Sequence, residues 1–469
     1  MTETSLLKQA LRSVVSGQVK AAADPYRPSW HLAPPVGLLN DPNGFIQHKG
    51  RYHLFYQWNP LGCMHGAKFW GHWSSADLLN WRHEPLALTP SEAFESHGCY
   101  SGSAVTDHGQ LTLIYTGNVK YADGGRTAFQ CLARENASGE FDKTGPVLDL
   151  PEGYTGHVRD PKVWRKDSHW FMVLGAQDLN LQGKVLLLSS PDLLTWKFLG
   201  EVAGSNLNGL GEFGYMWECP DLFRIEDHDI LICCPQGLPA EADRYLNTFQ
   251  SGYFVGHLDT EKARFSHGEF TELDLGFEFY APQTMKTDDG RRLLIAWMGI
   301  PDSDEFYQPT VENGWIHTMT CLRELTLEAG KLIQRPAREL QQLRGNVQEW
   351  RGIADDAPVW DVTHAEVEIE TEHVFSASFG GDLDLRWDGE YLRITRKNLR
   401  TALPEERLWH GLLRKLTVMC DNSSIEIFIN DGEAAMTSRY FPVLPARLNF
   451  CSHHQITLRH WLLADCVLE

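Results

Sequence analysis

The sequence repeats one strand pattern five times after residue 37, and this repeat limits the possible fold more than any other feature. Each unit opens with a polar or proline-containing strand and continues with an aromatic or aliphatic strand, and successive units start about sixty residues apart. The opening segments are Asn40-Asp41-Pro42, Tyr100-Ser101-Gly102-Ser103, Arg159-Asp160-Pro161, Glu218-Cys219-Pro220 and Tyr280-Ala281-Pro282-Gln283. The strands that follow are predicted at residues 52–57, 111–115, 170–174, 230–234 and 292–297. Residues 74–81 and 189–196 also resemble each other and predict one hairpin used in two units.

Repeats of this length, rich in β-branched and aromatic residues and broken by Gly, Pro and Asp, are typical of β-propellers with four-stranded blades. We therefore predict an all-β chain in which residues 25–333 form a five-bladed β-propeller. The first strand of each blade lines the axis of such a fold, so residues far apart in sequence meet there. Residues 1–24 are predicted to form a short N-terminal helical segment, and its surface-packed face is predicted to carry Leu7, Leu11, Val14 and Val15.

The repeat stops after about residue 330, and the remaining sequence predicts a second domain. Residues 335–343, within a linker at residues 334–352, are predicted to form a short helix with Pro336 near its start. Segments with alternating apolar residues follow at residues 365–370, 383–387, 391–394, 416–419 and 425–429. This alternation predicts a C-terminal antiparallel β-sandwich over residues 353–469, without a catalytic motif.

Charge and cysteine content exclude several classes of function. The 469 residues include 42 basic and 62 acidic side chains, a net charge of −20, so neither nucleic acid nor a membrane is an expected partner. The ten cysteines lie largely among apolar residues and are interpreted as reduced thiols of a cytoplasmic protein. No signal peptide or membrane span is recognised. No metal-ligand spacing is recognised either, so we expect neither a metal nor a cofactor. The sequence leaves a homo-oligomer open.

Asp41, Asp160 and Glu218 open three of the five units and are the candidate catalytic residues. Because the first strands of a propeller converge, their carboxylates are expected to meet in one axial funnel. Pro42 and the turn-forming pair Asn43-Gly44 predict that Asp41 lies at a strand end and faces this cavity. The alternative is that the three acids are equivalent turn residues of a repeat. Against it, two of the units have no acid at this point.

Glycoside hydrolysis requires one ionised and one protonated carboxyl group at the same pH. Asp41, beside Asn40 and turn amides, is predicted to stay ionised. Glu218, between Trp217 and Cys219, is predicted to have a raised pKa because it is desolvated and close to other acids. Aromatic rings for sugar stacking are the second expected feature, although most of the 16 tryptophans are expected in the core. The candidate rings are Trp30, Trp58, Trp70, Trp217, Tyr280 and Trp297.

The three acidic blocks, with residues 100–103 and 280–283, resemble those of glycoside hydrolase family 32, the invertase and fructan hydrolase family. The likeness runs from about residue 25 to the end and includes residues 423–432. It implies a retaining β-fructofuranosidase in which Asp41 is the nucleophile, Glu218 is the acid and then the base, and Asp160 with Arg159 stabilises the transition state. It also implies a fructosyl subsite lined by Leu38, Leu39, Asn40, Gln57, Tyr100, Ser101, Arg159, Tyr280 and Trp297.

Within this family the sequence most resembles bacterial members, and this likeness implies hydrolysis of sucrose 6-phosphate to glucose 6-phosphate and fructose. Unphosphorylated sucrose or short fructo-oligosaccharides are the alternative substrates. A retaining route requires the carboxyl groups of Asp41 and Glu218 to lie about 5–5.5 Å apart, rather than the roughly 6.5–9.5 Å of an inverting route. A non-catalytic carbohydrate-binding propeller is a more distant alternative, which the complete set of acids disfavours. Inverting propeller glycosidases share the predicted fold but lack the Asn-Asp-Pro-Asn-Gly block.

One stretch departs from the family pattern. Invertases carry a Trp in the stretch after Gln57, whereas residues 63–70 here read Cys-Met-His-Gly-Ala-Lys-Phe-Trp. His65 and Lys68 are therefore candidates for the fructosyl pocket or the neighbouring glucosyl site. A glucosyl phosphate lies outward, at the funnel rim, where a net charge of −20 makes nearby cations necessary. The rim candidates are Lys68, which is the first choice, then Lys120, Arg126 and Arg244.

Overall fold

The computed structural model describes residues 3–353 and 357–468. Within these ranges the chain forms one α-helix, α1 (Glu3–Ala22), and otherwise strands, loops and short 3-10 helices. The prediction of an all-β chain with a short N-terminal helix is confirmed. Residues 1, 2, 354–356 and 469, which belong to the predicted helical segment and sandwich, lie outside the described residues. No helix of the described ranges combines the length and the apolar character that a membrane crossing needs.

Small residues form the contact face of α1. Ala10 and Ala21 are fully buried, and a Cβ on Gly17 would lie 3.0 Å from a neighbouring side chain. Leu11 and Val15 are 51% and 71% exposed, so the predicted packing face is wrong for these two residues. Because the alanines and the glycine let the helix approach the first sheet closely, they form the buried side in place of the larger residues.

The strands between residues 37 and 336 form five sheets. The first contains β1 (Gly37–His48), β2 (Arg51–Asn59), β3 (Phe69–Ser75) and β4 (Trp81–Leu88). The second contains β5 (Cys99–Asp107), β6 (Gln110–Lys120), β7 (Arg126–Glu135) and β8 (Phe141–Leu148). The third contains β9 (Tyr154–Lys166), β10 (His169–Asp178), β11 (Gly183–Ser190) and β12 (Lys197–Gly204). The fourth contains β13 (Met216–Ile225), β14 (His228–Gln236), β15 (Gly252–Asp259), β16 (Arg264–His267) and β17 (Thr271–Glu272).

The fifth sheet contains β18 (Tyr280–Lys286), β19 (Arg292–Met298), β21 (Thr318–Met319), β22 (Arg323–Glu328) and β23 (Lys331–Pro336), whereas β20 (Trp315–Ile316) pairs in parallel with β1. The connections carry 3-10 helices at Ala93–Glu95, Glu305–Tyr307, Pro309–Asn313 and Arg338–Leu343. Each first strand contacts the first strand of the next sheet, and β18 also contacts β1. The five-bladed arrangement itself stays a prediction at this point.

The predicted opening segments lie inside the first strands, at irregularities in strand pairing. The register shifts between Leu39 and Pro42 in β1, and comparable shifts occur in β5, β9, β13 and β18. Asp41 is therefore within a strand, and its predicted place at a strand end is wrong. Pro42 cannot donate a ladder hydrogen bond, and a bulge accommodates it and changes the direction of the neighbouring side chain.

The strands after residue 347 form two six-stranded antiparallel sheets. In chain order they are β24 (Gln348–Ile353), β25 (Trp360–Asp361), β26 (Ala365–Glu370), β27 (Phe375–Phe379), β28 (Leu383–Trp387), β29 (Tyr391–Lys397), β30 (Pro404–His410), β31 (Lys415–Asp421), β32 (Ser424–Ile429), β33 (Ala434–Arg439), β34 (Arg447–Cys451) and β35 (Gln455–Leu462). The sheet orders are β24-β35-β26-β31-β32-β33 and β25-β34-β27-β28-β29-β30. One apolar core contains side chains of both sheets. The predicted domain boundaries stay predictions; the helical part of the predicted linker is the 3-10 helix Arg338–Leu343.

A buried charge cluster joins the early sheets to the late ones; we call it the interface cluster. Arg323 Nη2 donates to Asp274 Oδ2 at 3.0 Å and to Glu426 Oε2 at 2.8 Å. His31 lies between Glu426 Oε1 and Asp421 Oδ2, with 2.9 Å to each. All five side chains are buried, and each has a partner of opposite charge or a hydrogen-bonded imidazole. The cluster therefore fixes β22 against β31 and β32.

Candidate active site

The structure brings Asp41, Asp160 and Glu218 together from β1, β9 and β13. Cys219, the neighbour of Glu218, connects the other two acids. Its backbone N–H donates to Asp160 Oδ2 at 2.9 Å, and its Sγ lies 3.6 Å from Asp160 Oδ2 and 3.8 Å from Asp41 Oδ2. Three acids that are far apart in the sequence therefore share one cluster, in which Asp160 is buried and Asp41 and Glu218 are half-buried.

Asp41 is held by hydrogen bonds to both carboxylate oxygens. Asn40 Nδ2 donates to Oδ1 at 3.0 Å, and the Ser101 hydroxyl donates to Oδ2. Asn40 Nδ2 also donates to Gln57 Oε1 at 3.0 Å, which fixes the orientation of the amide. Burial raises the pKa of Asp41, the Ser101 hydrogen bond opposes this shift, and the charge of Glu218 adds to it. These hydrogen bonds orient the carboxylate and favour its ionised form against the effect of burial. That Asp41 stays ionised remains a prediction.

Glu218 is the most strongly paired of the three acids. Arg159 donates to Oε1 through Nη2 at 2.6 Å and Nε at 3.0 Å, and Tyr280 Oη and Gln236 Nε2 donate to Oε2 at 2.6 and 2.8 Å. Burial acts to raise the pKa of Glu218, but the Arg159 charge and these hydrogen bonds outweigh it and lower the pKa. The prediction of a raised pKa is therefore wrong in this structure, because Arg159 turns to Glu218.

Asp160 has the least compensated charge. Its backbone φ is 65°, a left-handed conformation that Asp tolerates better than most residues, and its N–H donates to Thr116 Oγ1 at 3.1 Å. Burial raises the pKa of Asp160 to about 7, because the charges of Glu218 and Asp41 add to an effect that Arg159 only partly opposes. The pKa values of the three acids are thus pushed apart, since that of Glu218 is lowered and those of Asp41 and Asp160 are raised.

The predicted subsite residues separate into two groups. Asn40, Gln57, Ser101, Arg159 and Tyr280 form the hydrogen bonds around the acids that are described above. The other four pack differently. Trp297 is buried, with its ring 6.2 Å from that of Tyr280, and its Nε1 has no acceptor among the described residues. The carbonyl oxygen of Tyr100 accepts a hydrogen bond from Trp70 Nε1, and Leu38 and Leu39 are fully buried.

Most of the predicted sugar-stacking aromatics lie in the core. Trp58, Trp70 and Trp217 are buried, and Trp217 stacks on Phe254 with ring centroids 5.6 Å apart. Trp30 packs against His31 in the interface cluster, at a centroid distance of 3.7 Å. The alternative of a packing role is therefore correct for these four rings, because each side chain is enclosed by protein.

Lys68 is buried against Asn40 and is not exposed at a rim. The residue is only 5% exposed, and its Nζ donates to Asn40 Oδ1 at 2.6 Å and lies 2.8 Å from His65 Nδ1. Burial lowers the pKa of Lys68 to about 8, while the charges of Asp41 and Glu305 act in the opposite direction. The predicted rim position of Lys68 is wrong, because the β2–β3 loop turns this side chain inward toward Asn40.

Glu305 is the residue that sequence reasoning missed. It lies in the 3-10 helix Glu305–Tyr307, and its two oxygens contact His65 Nε2 at 3.1 Å and His317 Nε2 at 3.0 Å. His65 in turn contacts Lys68, so a polar chain runs from this helix to Asn40 and Asp41. No motif marked Glu305, because its partners come from the β2–β3 loop and from the segment after β20.

The remaining rim candidates lie in different surroundings. Arg126 is half-buried and contacts His157, the neighbour of Arg159 on β9. Arg244 is exposed, packs over the ring of Tyr245 at 4.7 Å, and makes no hydrogen bond to the three acids among the described residues. In residues 3–353 and 357–468, no group of three or more His, Cys, Asp or Glu side chains is arranged to hold a metal ion.

Three carboxyl groups in one cluster, held by amides, hydroxyls and a guanidinium in an all-β framework, define a glycoside hydrolase site. Residues 31–336 match the model of the glycosyl hydrolases family 32 N-terminal domain, and residues 388–458 match that of the family 32 C-terminal domain. The chain belongs to glycosyl hydrolase family 32.

Individual relatives resemble the chain over its whole length. A sucrose-6-phosphate hydrolase of Klebsiella pneumoniae is 56% identical and is covered completely, as is this chain. A solved GH32 beta-fructofuranosidase of Bombyx mori is 33% identical, with a TM-score of 0.89 and 100% coverage of both chains. The sucrose-6-phosphate hydrolase structure from Lactobacillus gasseri is 30% identical, with a TM-score of 0.89 and coverage of 97% of this chain and 96% of that one.

Proposed function

We propose that this protein is a retaining β-fructofuranosidase that hydrolyses sucrose 6-phosphate to glucose 6-phosphate and fructose. The observation that carries the proposal is the contact of Cys219 with both Asp41 and Asp160, because it assembles the three acids beside a Glu218 that has its own guanidinium partner. The phosphorylated substrate is supported by the full-length similarity to an enzyme named for it.

In the proposed reaction, Asp41 attacks the anomeric carbon of the fructosyl unit, and Glu218 protonates the leaving glucosyl oxygen. Glu218 then takes a proton from the water that releases fructose. Because Arg159 holds Glu218 Oε1 in its ionised form, we propose that substrate hydroxyl groups draw Arg159 toward Asp160. The pKa of Glu218 then rises, and Oε1 carries the proton that is transferred.

The proposed fructosyl subsite is lined by the acids and by the side chains already in contact with them. Asn40 and Ser101 orient Asp41, and Asp160 with Arg159 binds two hydroxyl groups and stabilises the oxocarbenium-like transition state. Gln57, Tyr100, Tyr280 and Trp297 complete the walls. Leu38 and Leu39 support the pocket from the core, since their side chains are enclosed.

The proposed architecture is a five-bladed propeller at residues 25–333 followed, after a linker at 334–352, by a β-sandwich at 353–469. The series of contacts from β1 through β5, β9 and β13 to β18, and the contact of β18 with β1, supports the propeller. The common core of the two late sheets supports the sandwich. Free thiols on all ten cysteines support a cytoplasmic location.

Unphosphorylated sucrose is the second candidate substrate, because the similar structure from Bombyx mori is named only as a beta-fructofuranosidase. Kinetics of the unmodified enzyme on both sugars decide between them. We expect kcat/KM to be at least about tenfold higher on sucrose 6-phosphate, as one additional charged contact provides. Equal values would overturn the assignment of the phosphorylated substrate.

The stereochemistry of the product tests the proposed mechanism. Proton NMR during the first seconds of turnover should show fructose released with the β configuration retained, before mutarotation, because double displacement inverts the anomeric carbon twice. Release of the inverted anomer would exclude Asp41 as a nucleophile and indicate direct attack by water.

A further inference from the structure

Three nitrogen-rich side chains are crowded together beside Glu218; we call them the Arg126 cluster. It consists of Arg126, His157 and Arg159. His157 Nδ1 lies 3.2 Å from Arg126 Nη1 and 3.0 Å from Arg159 Nη1. Like charges this close repel each other, and the only carboxylate paired with the cluster among the described residues is Glu218, which Arg159 binds. The cluster therefore carries an excess of positive charge in a protein of net charge −20.

The hydrogen bonds of the cluster are also incomplete. Arg126 Nη2 donates to Asn118 Oδ1, but Arg126 Nε and Asn118 Nδ2 are buried and have no acceptor in the described part of the chain. His157 Nδ1 accepts from two guanidinium groups, so the neutral ring carries its hydrogen on Nε2, where it can donate. Burial and the two neighbouring arginines lower the pKa of His157 to about 4. Buried donors without acceptors are costly, and an anion with several oxygens satisfies them.

The cluster lies outward from the acids. Along β9, residues 154–157 are half-buried and residues 158–161 are buried, so the strand enters the protein interior between His157 and Asp160. Arg159 and His157, two residues apart, project from the same face of the strand. His157 and its partner Arg126 are half-buried, whereas Arg159 is buried, so they lie closer to solvent than Arg159 does. A glucosyl unit bound outward of Glu218 on this side would meet Arg126 and His157.

We propose that Arg126, together with Asn118 and His157, binds the phosphate on the glucosyl unit of the substrate. The inference rests on the proposed hydrolysis of sucrose 6-phosphate. Two other cationic candidates are less suitable, since Lys68 is buried against Asn40 and Arg244 is exposed on the ring of Tyr245. The structural alternative is that Arg126 only orients His157 and Arg159 for catalysis.

The two roles differ in how they affect the two sugars. A phosphate ligand changes the ratio of kcat/KM on sucrose 6-phosphate to kcat/KM on sucrose, whereas an orienting residue lowers both constants equally. We expect Arg126→Gln to lower this ratio by about tenfold or more, as the loss of a charge-assisted hydrogen bond implies. The ratio for Arg126→Lys should lie between those of Arg126→Gln and the unmodified enzyme, because lysine keeps the charge and lacks the planar guanidinium.

Arg244→Gln is the matched control, since it removes an exposed arginine from the loop between β14 and β15. The ratio for this variant should change by less than about twofold. Product inhibition gives a second measurement. Glucose 6-phosphate should inhibit the unmodified enzyme more strongly than glucose does, and Arg126→Gln should remove most of this difference.

The outcomes separate the site assignment from the proposed function. If the ratio is unchanged in Arg126→Gln, as it is when activity falls equally on both sugars, the assignment of the phosphate site is overturned. The proposed function then stands if the unmodified enzyme still prefers sucrose 6-phosphate. If the unmodified enzyme shows no preference, the proposed substrate and the phosphate site both fail. A tenfold loss of the ratio in Arg244→Gln moves the site to Arg244.

Discussion

The interface cluster and the candidate active site are both rich in charge, but the interface cluster is fully buried while the active site is partly exposed, and the two differ in charge balance. At the interface, His31 and Arg323 lower the pKa of Glu426 to about 2 despite its burial, and the charges of Asp274 and Glu426 raise the pKa of Arg323, although burial still raises the pKa of Asp274. In the active site, three acids share one guanidinium, and burial raises the pKa of both Asp41 and Asp160.

This difference shows what distinguishes a structural charge from a catalytic one. A buried ion that is fully paired contributes to the geometry of an interface, and removing its partner is costly. A group of acids with too few partners is held in an unfavourable electrostatic environment, and such shifted pKa values are concentrated at functional sites. Burial and the balance of partners both separate the two cases here, because the interface side chains are fully enclosed and Asp41 and Glu218 are half-buried.

The largest expected effect is on turnover. Asp41→Ala and Glu218→Ala should each fold and lose several orders of magnitude in kcat, because each removes a group needed in a different half of the reaction. A fructosyl donor whose leaving group needs no protonation should restore the first step in Glu218→Ala and not in Asp41→Ala. Near-normal activity of either variant on sucrose 6-phosphate would show that the acid is not catalytic, and the active site would then not differ in role from the interface cluster.

The largest stability effect is expected at the interface. Arg323→Met leaves Asp274 and Glu426 buried without their guanidinium and should lower the free energy of unfolding by about 3–5 kcal/mol. Arg335→Met is the matched control on the neighbouring strand. It breaks an exposed pair with Glu328 and should cost less than about 1 kcal/mol. Chemical denaturation measures both, and similar losses in the two variants would contradict the importance of pairing.

A smaller effect is expected for Lys68. Lys68→Ala should lower kcat/KM about tenfold on sucrose and sucrose 6-phosphate alike, because Lys68 holds the Asn40 amide that orients Asp41. The exposed Lys286→Ala serves as the control and should change neither constant by more than about twofold. A loss confined to sucrose 6-phosphate would show that Lys68 contacts the phosphate after all.

The smallest effect is a gain in stability. The folded-state pKa of Asp160 is about 7, above the ordinary value of 3.8, so ionisation of Asp160 destabilises the fold as pH rises between these values. Asp160→Asn should therefore raise the unfolding free energy by at least about 1 kcal/mol at pH 8 and leave it unchanged near pH 3, while turnover is lost. Thermal unfolding at both pH values measures the difference. Destabilisation at pH 8 would mean that Asp160 is a structural charge.

The strand repeat could be predicted because its signals are local. The two similar hairpins are an example: Ser75 donates to Asp77, and Ser190 donates to Asp192, in the turn that connects two strands. Each Asp caps backbone N–H groups two or three residues ahead, so the pattern is legible in four consecutive residues.

The pairing inside the site could not be predicted in the same way. Arg159 lies next to Asp160 in sequence but binds Glu218 from another sheet. The guanidinium charge lowers the pKa of Glu218, whereas the sequence predicted a raised pKa. Glu305 contacts His65 and His317 only after three segments meet in space. Such contacts depend on backbone bulges and loop paths that no short motif specifies.

Trapping of the covalent intermediate tests the central claim most directly. Glu218→Gln, supplied with a fructosyl donor whose leaving group needs no protonation, should accumulate fructosyl-enzyme because the second step lacks its base. Peptide mass spectrometry should then find one fructosyl unit on the peptide that contains Asp41. A fructosyl unit on the peptide that contains Asp160, or turnover of the donor without any adduct and with inverted product, would contradict the proposed mechanism.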